Sequence, residues 1–272
     1  MTTQDTGAGR MQGAFTESMG DLISYRYVGC QAELIDSDHA VSETALRSHL
    51  NTPGSVSAAA LAISMLDAAG IAVDRVQLLG LTEIDLQLYE PSLDIDRLRT
   101  FGAVVRWARS QVFTECRFED AARPGHVLGV GAANWSVLAP TPDGFEYTDP
   151  GPGYPEGPET VPMREAFTIE PRPEGGFVVP ELSTTVGSEV LHHGPMLVGL
   201  EHAVLEAASA AAGTDRLALA SWTMRIVRAG RKAPFPVSAE VLAVRDDIVG
   251  CRAELTDGDG AVVALAHVTF HR

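Results

Sequence analysis

The residues of this chain best placed to do chemistry stand where a loop enters an apolar, alanine-rich segment. His192, His193 and Gly194 form that entry, and Glu201 follows within the segment. The first N–H groups of a helix lack partners inside the helix and favour negative charge, so the backbone at His193 and Gly194 is suited to stabilise an oxyanion. A carboxylate beside such donors acts as a general base on water or attacks a carbonyl carbon itself. The sequence leaves both roles of Glu201 open.

Glu201 falls on the apolar face of its predicted helix. At about 100° per residue, with Leu197 as zero, Leu200 lies at ~300° and Glu201 at ~40°, which places Glu201 inside the apolar stripe. Val204 lies near ~340°, inside the same apolar stripe. A lone carboxylate on a core-facing stripe costs free energy unless it is paired or functional. We therefore interpret Glu201 as a catalytic candidate; the alternative is a side chain at the edge of the stripe that reaches solvent or an arginine.

The paired histidines have three interpretations. His192 and His193 contact a substrate, donate a hydrogen bond, or cap the loop. A metal site is not predicted, because no third and fourth ligand stand at a useful spacing. The three cysteines are far apart, without a Cys-x-x-Cys pair, so neither a zinc site nor a disulfide framework is indicated. We expect no cofactor.

Composition and charge exclude several classes of protein. Hydrophobic residues make up 45% and charged residues 21%, as in folded globular proteins rather than disordered ones. The net charge of −16 disfavours binding to nucleic acid or to an anionic membrane. The longest apolar stretch, Val56 to Val73, contains Ser57, Ser64 and Asp67 and is too polar for a membrane span. Residues 1–13 have the composition of a polar tail without a secretory leader, so we expect a cytoplasmic protein.

An internal repeat divides the chain. Residues 116–119 (CRFE) recur as 251–254 (CRAE), and residues 125–130 recur as 260–265, both at an offset of 135 positions. We predict an N-terminal domain at 14–139, a linker rich in Pro and Gly at 140–166, and a C-terminal domain at 167–272. The alternative is a single α+β domain whose segments are similar by chance.

Each repeat has the pattern of a short strand, a loop, an alanine-rich helix and a set of long strands. The predicted elements of the first repeat are a strand at 24–35, a loop at 51–53, a helix at 54–69 and strands near 76–89, 100–109, 111–119 and 126–138. Those of the second are a strand at 167–180, a loop at 183–193, a helix at 194–212 and strands near 217–227, 235–244, 248–256 and 261–271.

This order of elements, with the run from His192 to Glu201 and the final hairpin at 255–264, resembles the hotdog thioesterase superfamily in its PaaI-like branch. The resemblance covers nearly the whole chain as two copies. It implies an α+β double hotdog, in which two antiparallel sheets each wrap a central helix and join as one continuous sheet. It also implies an acyl-CoA substrate, with coenzyme A as part of the substrate. Pairing of two such chains into a homodimer is compatible with this arrangement.

The family pattern implies a site shared between the copies. It places an Asn six residues before the first His, where the second copy has Val186 and the first has Asn51. The repeat offset pairs Glu201 with Leu66, and it also pairs Ser57 with His192 and Ala58 with His193. The resemblance therefore implies one composite site containing Asn51, the Ala58 N–H and Glu201. The pseudo-symmetric site, with Val186 and Leu66, is expected to be inactive.

Asp67 complicates this expectation. With Ile63 as zero it lies near ~40° on its own helix, at the apolar face. A slip of one residue in the repeat alignment makes Asp67 the counterpart of Glu201. A second working site that uses Asp67 therefore stays open, against an ordinary Asp near a helix end beside Gly70.

One dense basic cluster is a candidate for the phosphates of coenzyme A. It consists of Arg225, Arg228, Arg231 and Lys232, at and after the end of a predicted strand. The alternative is a solvated strand end in an acidic protein.

The leading expectation is an acyl-CoA thioesterase. The rival is a non-catalytic protein that binds or senses acyl-CoA, because Val186, Leu66, Ser57 and Ala58 depart from the family pattern. Hydration of enoyl-CoA is disfavoured, since the sequence lacks a Gly-Asp-x-Asn-Pro-x-His run. Turnover of acyl-CoA that depends on Glu201 distinguishes the thioesterase from the non-catalytic binding protein.

Overall fold

The computed structural model describes residues 22–74, 76–91, 94–141 and 160–272. Six strands belong to the N-terminal half: β1 (Ala32–Leu34), β2 (His39–Ala45), β3 (Gln77–Leu88), β4 (Arg97–Trp107), β5 (Gln111–Asp120) and β6 (Val127–Pro140). Six belong to the C-terminal half: β7 (Glu170–Pro171), β8 (Phe177–Val179), β9 (Ala218–Ile226), β10 (Phe235–Arg245), β11 (Ile248–Thr256) and β12 (Val262–His271). The helices are α1 (Ile23–Val28), α2 (Ala58–Asp74), α3 (Met163–Ala166) and α4 (His193–Ala212), with a 3₁₀ turn at Ser48–Leu50.

All twelve strands form one antiparallel sheet. Their order is β1-β2-β4-β5-β6-β3-β9-β12-β11-β10-β8-β7, so the second half repeats the order of the first in reverse. The halves join where β3 pairs with β9, in a register that sets Ile84 against Met224 and Leu86 against Trp222. These four side chains are buried. The α+β fold with one continuous sheet, expected from the sequence, is confirmed.

The two long helices lie in the core because little of their surface is polar. Helix α2 is buried along almost its whole described length, as expected of a helix that is apolar on all sides. Helix α4 buries Leu197, Leu200, Val204 and Ala208 and exposes Glu206 on its opposite side. It ends at Gly213, whose φ of 70° closes the last turn in the left-handed conformation. These two helices carry the candidate functional residues.

The first predicted strand, at 24–35, is wrong over most of its length. Helix α1 occupies its beginning, because Ile23, Ser24, Tyr27 and Val28 recur at helical spacing and form one buried face. Gly29, with a φ of 72°, ends that helix. Only β1 remains as a strand.

Strand β2 was not predicted either, because its buried positions include polar residues. Its buried positions are Ala40, Ser42 and Thr44, so the alternation of buried and exposed residues is not an alternation of apolar and polar ones. The long strands of both halves lie within a few residues of their predicted ranges.

Much of the predicted linker, residues 142–159, lies outside the described residues, as does the predicted tail at 1–13. The end of the linker forms α3, which packs Met163 into the core. The predicted domain boundaries stay predictions. Within the described ranges, no helix has both the length and the apolar character that crossing a membrane requires.

Candidate functional site

The first turn of α2 holds the carboxylate of Glu201, a residue of α4. Ala58 N donates a hydrogen bond to Glu201 Oε1 at 2.6 Å, and Ala59 N donates to Oε2 at 3.1 Å. The hydroxyl of Ser57 donates to Oε2 at 2.6 Å. The carboxylate thus satisfies backbone donors that begin a helix, where the helix dipole favours negative charge. The contact joins the two halves of the chain.

Ser57 has two functions in this arrangement. It precedes α2, and its Oγ accepts a hydrogen bond from Ala60 N at 3.2 Å, as serine does when it caps a helix. The same oxygen donates its hydrogen to Glu201. The Met163 sulfur lies 3.9 Å from this oxygen, so α3 packs against the site. Ser57 was not predicted to be a functional residue, although a serine before an alanine-rich run is a signal for a helix start.

The environment of Glu201 opposes its ionisation. Its exposed fraction is 5%, and burial raises the pKa of the carboxyl above 4.5. The hydrogen bonds from Ser57, Ala59 and Ala58 lower the pKa and offset part of this effect. Among carboxyl groups, one whose pKa is raised towards neutrality is suited to exchange a proton with water.

Asn51 lies at the same end of α2. Its backbone forms an isolated β-bridge with Val56, and Ser57 N donates to Leu50 O at 2.9 Å. The side-chain Oδ1 of Asn51 is buried and accepts no hydrogen bond from the described residues. The structure therefore brings Asn51, Ala58 and Glu201 to one end of one helix.

Gly54 fixes the loop that carries Asn51. A Cβ at Gly54 would lie 2.4 Å from the backbone oxygen of Leu217, which belongs to the C-terminal half. Only glycine allows the loop to approach that backbone so closely. The loop is thus held by the half that also supplies Glu201.

The start of α4 is the position in the second repeat that corresponds to the start of α2, but histidines rather than a carboxylate contact it. His192 caps the helix: its Nδ1 accepts from Gly194 N at 3.5 Å and lies 3.1 Å from Ser24 Oγ. His193 Nε2 lies 3.4 Å from Tyr25 OH. The two imidazole rings are 3.7 Å apart. Both histidines therefore contact α1 and hold it against α4.

Burial keeps these imidazoles neutral. It lowers the pKa of His192 from 6.5 to about 4. Burial, and to a smaller extent repulsion between the two rings when His192 is protonated, lowers the pKa of His193 well below its ordinary value. Leu66 and Val186 are buried apolar side chains, so neither supplies a polar group. The capping interpretation of the histidine pair agrees with these contacts.

Asp67 lies apart from the Glu201 site. It is nine residues after Ala58, about 13 Å farther along the helix axis. Its exposed fraction is 1%, and Ser42 Oγ donates to its Oδ2 at 3.4 Å. The Asp67 carboxylate also raises the pKa of Cys30, after the larger effect of burial. Ser42 and Cys30 both belong to the N-terminal half, so these contacts do not join Asp67 to α4.

The basic cluster lies beside the start of α4 rather than beside Glu201, since Leu191 N donates to Gly230 O at 2.8 Å. Three of its members form ion pairs, and Arg231 is exposed without an ion pair among the described residues. The pairs are Arg225 with Glu83 (2.9 Å), Arg228 with Asp257 (3.6 Å) and Lys232 with Asp259. Acidic partners thus neutralise most of the cluster. Among the described residues, no group of three or more His, Cys, Asp or Glu side chains is arranged to hold a metal ion.

Solved structures share this architecture. The tesB protein of Mycobacterium avium subspecies paratuberculosis superposes with a TM-score of 0.63 at 12% identity, over 93% of this chain and 98% of that one. A protein with a hot dog fold from Alicyclobacillus acidocaldarius superposes with a TM-score of 0.59 at 10% identity, over 92% of this chain and 98% of that one. The chain has the double hotdog fold.

A third structure similar to this double hotdog is the acyl-CoA thioesterase II TesB2 of Mycobacterium marinum, with a TM-score of 0.59 at 14% identity over 89% of this chain and 95% of that one. The tesB and TesB2 names of two of these structures differ from the PaaI-like branch expected from the sequence, so that branch is not the one they indicate, while the hotdog superfamily holds. No protein-family model matches the sequence of the double hotdog, and no curated protein matches it.

Proposed function

We propose that this double hotdog hydrolyses an acyl thioester, with acyl-CoA as the substrate, at the start of α2. The observation that carries the proposal is the contact between Glu201 and the Ala58 N–H, because it sets a buried carboxyl from one half against the helix-start donors of the other. Thioester hydrolysis needs these two groups together: a base for water and a donor for the carbonyl oxygen. The name of the similar structure from Mycobacterium marinum, an acyl-CoA thioesterase II, agrees with this chemistry.

In the proposed reaction Glu201 takes a proton from water while the water oxygen attacks the carbonyl carbon. The oxyanion that forms accepts a hydrogen bond from Ala58 N–H. When the carbon–sulfur bond breaks, the thiolate leaves and takes the proton from Glu201, which gives a carboxylic acid and the free thiol. The buried Asn51 Oδ1, which has no hydrogen-bond partner among the described residues, is available to accept a hydrogen bond from the attacking water.

The reaction requires one rearrangement of the site. In the structure Glu201 itself occupies the N–H groups of Ala58 and Ala59. The substrate carbonyl must displace one carboxylate oxygen from these N–H groups before the reaction starts.

The test is Glu201→Gln, assayed with acyl-CoA substrates of several chain lengths and a thiol-reactive dye. Glutamine keeps an oxygen that accepts from Ala58 N and a donor for Ser57 Oγ, but its amide nitrogen cannot accept from Ala59 N, so we expect the fold to remain with reduced stability. The expected result is a loss of kcat of about 10²- to 10⁴-fold. Glu189→Gln, an exposed glutamate just before α4, is the matched control and is expected to keep full activity.

Equal turnover by the wild-type protein and Glu201→Gln would rule out this assignment. Thermal unfolding of both variants shows whether a loss of rate reflects a loss of fold.

One observation favours a second function, non-catalytic binding of acyl-CoA. Glu201 already accepts hydrogen bonds from Ser57, Ala58 and Ala59, which is the pattern of a structural cap. Under this alternative, calorimetry detects binding of acyl-CoA to the wild-type protein, while no chain length gives turnover.

A further inference from the structure

A cleft of about 550 Å³ opens beside α4. Along the helix it is lined by His202, Leu205, Glu206 and Ser209, which share one face because they are spaced three and four residues apart. Its other walls include Pro53, Arg164 and Phe177. It thus combines residues of both halves of the chain.

Three segments of the chain lead from this cleft to the Glu201 site. His202 follows Glu201 directly, and Arg164 follows Met163, whose sulfur contacts Ser57. Pro53 belongs to the loop that runs from Asn51 to Ser57. Since neighbouring Cα atoms are about 3.8 Å apart, the backbone of the cleft wall is close to that of the proposed site of hydrolysis, although neither Glu201 nor Ser57 lines the cleft.

Arg164 gives this end of the cleft a positive charge. The side chain is half-buried, and its guanidinium lies 5.9 Å from the centre of the Phe177 ring. It forms no salt bridge with the residues that the structure describes, although acidic residues outnumber basic ones by 36 to 20 in the chain. A half-buried arginine without a carboxylate partner is suited to bind a phosphate.

The positive charge of Arg164 also affects the pKa of His202. Burial and then the charge of Arg164 lower its pKa to about 4, so its imidazole is neutral near pH 7. It therefore adds hydrogen-bonding capacity without charge. The acidic residues of the cleft, Glu206 and Asp215, come later in the chain, towards and beyond the end of α4.

We propose that this cleft receives the phosphorylated pantetheine arm of the substrate, with Arg164 as the residue that binds phosphate. This inference rests on the proposed function, and it moves the phosphate site away from the cluster of Arg225, Arg228, Arg231 and Lys232. That cluster is largely paired with carboxylates and lies by the start of α4, whereas Arg164 lies one residue from the contact with Ser57.

The experiment compares Arg164→Ala and Arg164→Gln with the wild-type protein on one acyl group carried by three thiols. These are coenzyme A, 4′-phosphopantetheine and N-acetylcysteamine, which carries no phosphate. The expected result is an increase of about tenfold in KM for acyl-CoA, with kcat/KM for the N-acetylcysteamine thioester unchanged. The matched control is the double variant Arg228→Ala, Arg231→Ala, which is expected to leave all three substrates unaffected.

The three substrates also identify the phosphate. An effect on both phosphorylated substrates supports binding of the 4′-phosphate, which carrier proteins share with coenzyme A. An effect on acyl-CoA alone supports binding of its nucleotide phosphates. Equal effects on all three thioesters, or an effect of the control variant alone, would overturn the proposal.

Calorimetric titration with coenzyme A separates this proposal from the proposed function. If the wild-type protein has no turnover but Arg164→Ala weakens binding of coenzyme A, the phosphate site stands and hydrolysis does not. If turnover is normal and Arg164→Ala binds coenzyme A with unchanged affinity, hydrolysis stands and the phosphate site does not.

Discussion

Ser57 and Glu201, 144 positions apart in the chain, are joined by a hydrogen bond of 2.6 Å at the start of α2. At the start of α4 the pseudo-equivalent residue, His192, instead meets Ser24 at 3.1 Å. Each central helix thus begins at a polar contact with another part of the fold. Only the first contact contains a carboxyl group, so the two ends of the duplicated structure have different chemistry.

The stability of the protein should depend on the protonation of Glu201. Because the pKa of Glu201 is raised above 4.5 by folding, the native state binds more protons than the unfolded state between these two values. The free energy of unfolding relative to Glu201→Gln should therefore decrease as the pH rises from about 4.5 through the native pKa, by about 1.4 kcal/mol for each pH unit between the unfolded and the native pKa. Urea unfolding of the wild-type protein and Glu201→Gln at a series of pH values measures this difference in the free energy of unfolding. A difference that increases with pH would contradict the raised pKa.

Ser57→Ala should reduce activity without abolishing it. The change removes a hydrogen bond that lowers the pKa of Glu201, so the carboxyl should titrate at a higher pH than in the wild-type protein. The limb of the pH–rate profile that reports Glu201 should move to higher pH, and stability should fall by about 1.5 to 3 kcal/mol. Ser57→Thr should restore part of the shift in the pH–rate profile and part of the lost stability. Complete loss of turnover, with an acyl adduct on Ser57 in the wild-type mass spectrum, would make Ser57 the nucleophile instead.

Asp67→Asn should leave hydrolysis within about twofold of the wild-type rate, because the contacts of Asp67 with Ser42 and Cys30 lie away from Glu201. An amide oxygen can still accept from Ser42, so the loss of stability should be on the order of 1 kcal/mol. Steady-state kinetics and thermal unfolding check both values. A fall in kcat as large as that of Glu201→Gln would show instead that Asp67 serves a second working site.

The half-buried imidazole of His192 should make the protein sensitive to acid. Its pKa is about 4 in the fold against 6.5 ordinarily, so the unfolded state binds more protons in that range and stability falls as the pH falls from 6.5 to 4. His192→Asn keeps an acceptor for Gly194 N and should reduce this loss by on the order of 2 kcal/mol. Unfolding midpoints at pH 7 and near pH 4 provide the measurement, with the exposed His267→Asn as control. Equal acid sensitivity of His192→Asn and the wild-type protein would contradict the assignment.

The sequence by itself determined the duplication and, through it, the architecture. Two copies of one pattern, 135 positions apart, fold as two equivalent halves, so the long strands and the two central helices followed from local patterns, whereas α1 and β2 did not. The offset paired Glu201 with Leu66, and the resemblance to hotdog thioesterases implied that Glu201 meets the start of the helix in the other copy. Their roles in a reaction stay predictions.

Only the tertiary structure decided which polar groups meet. Residues far apart in sequence meet at three places. Ser57 donates a hydrogen bond to Glu201, Arg164 lies in the cleft beside α4, and carboxylates pair with the basic cluster. Hydrophobic periodicity carries no information about such partners, since it specifies which face of an element is buried and not what lies opposite. Packing of the two halves sets those distances, and with them the pKa of Glu201.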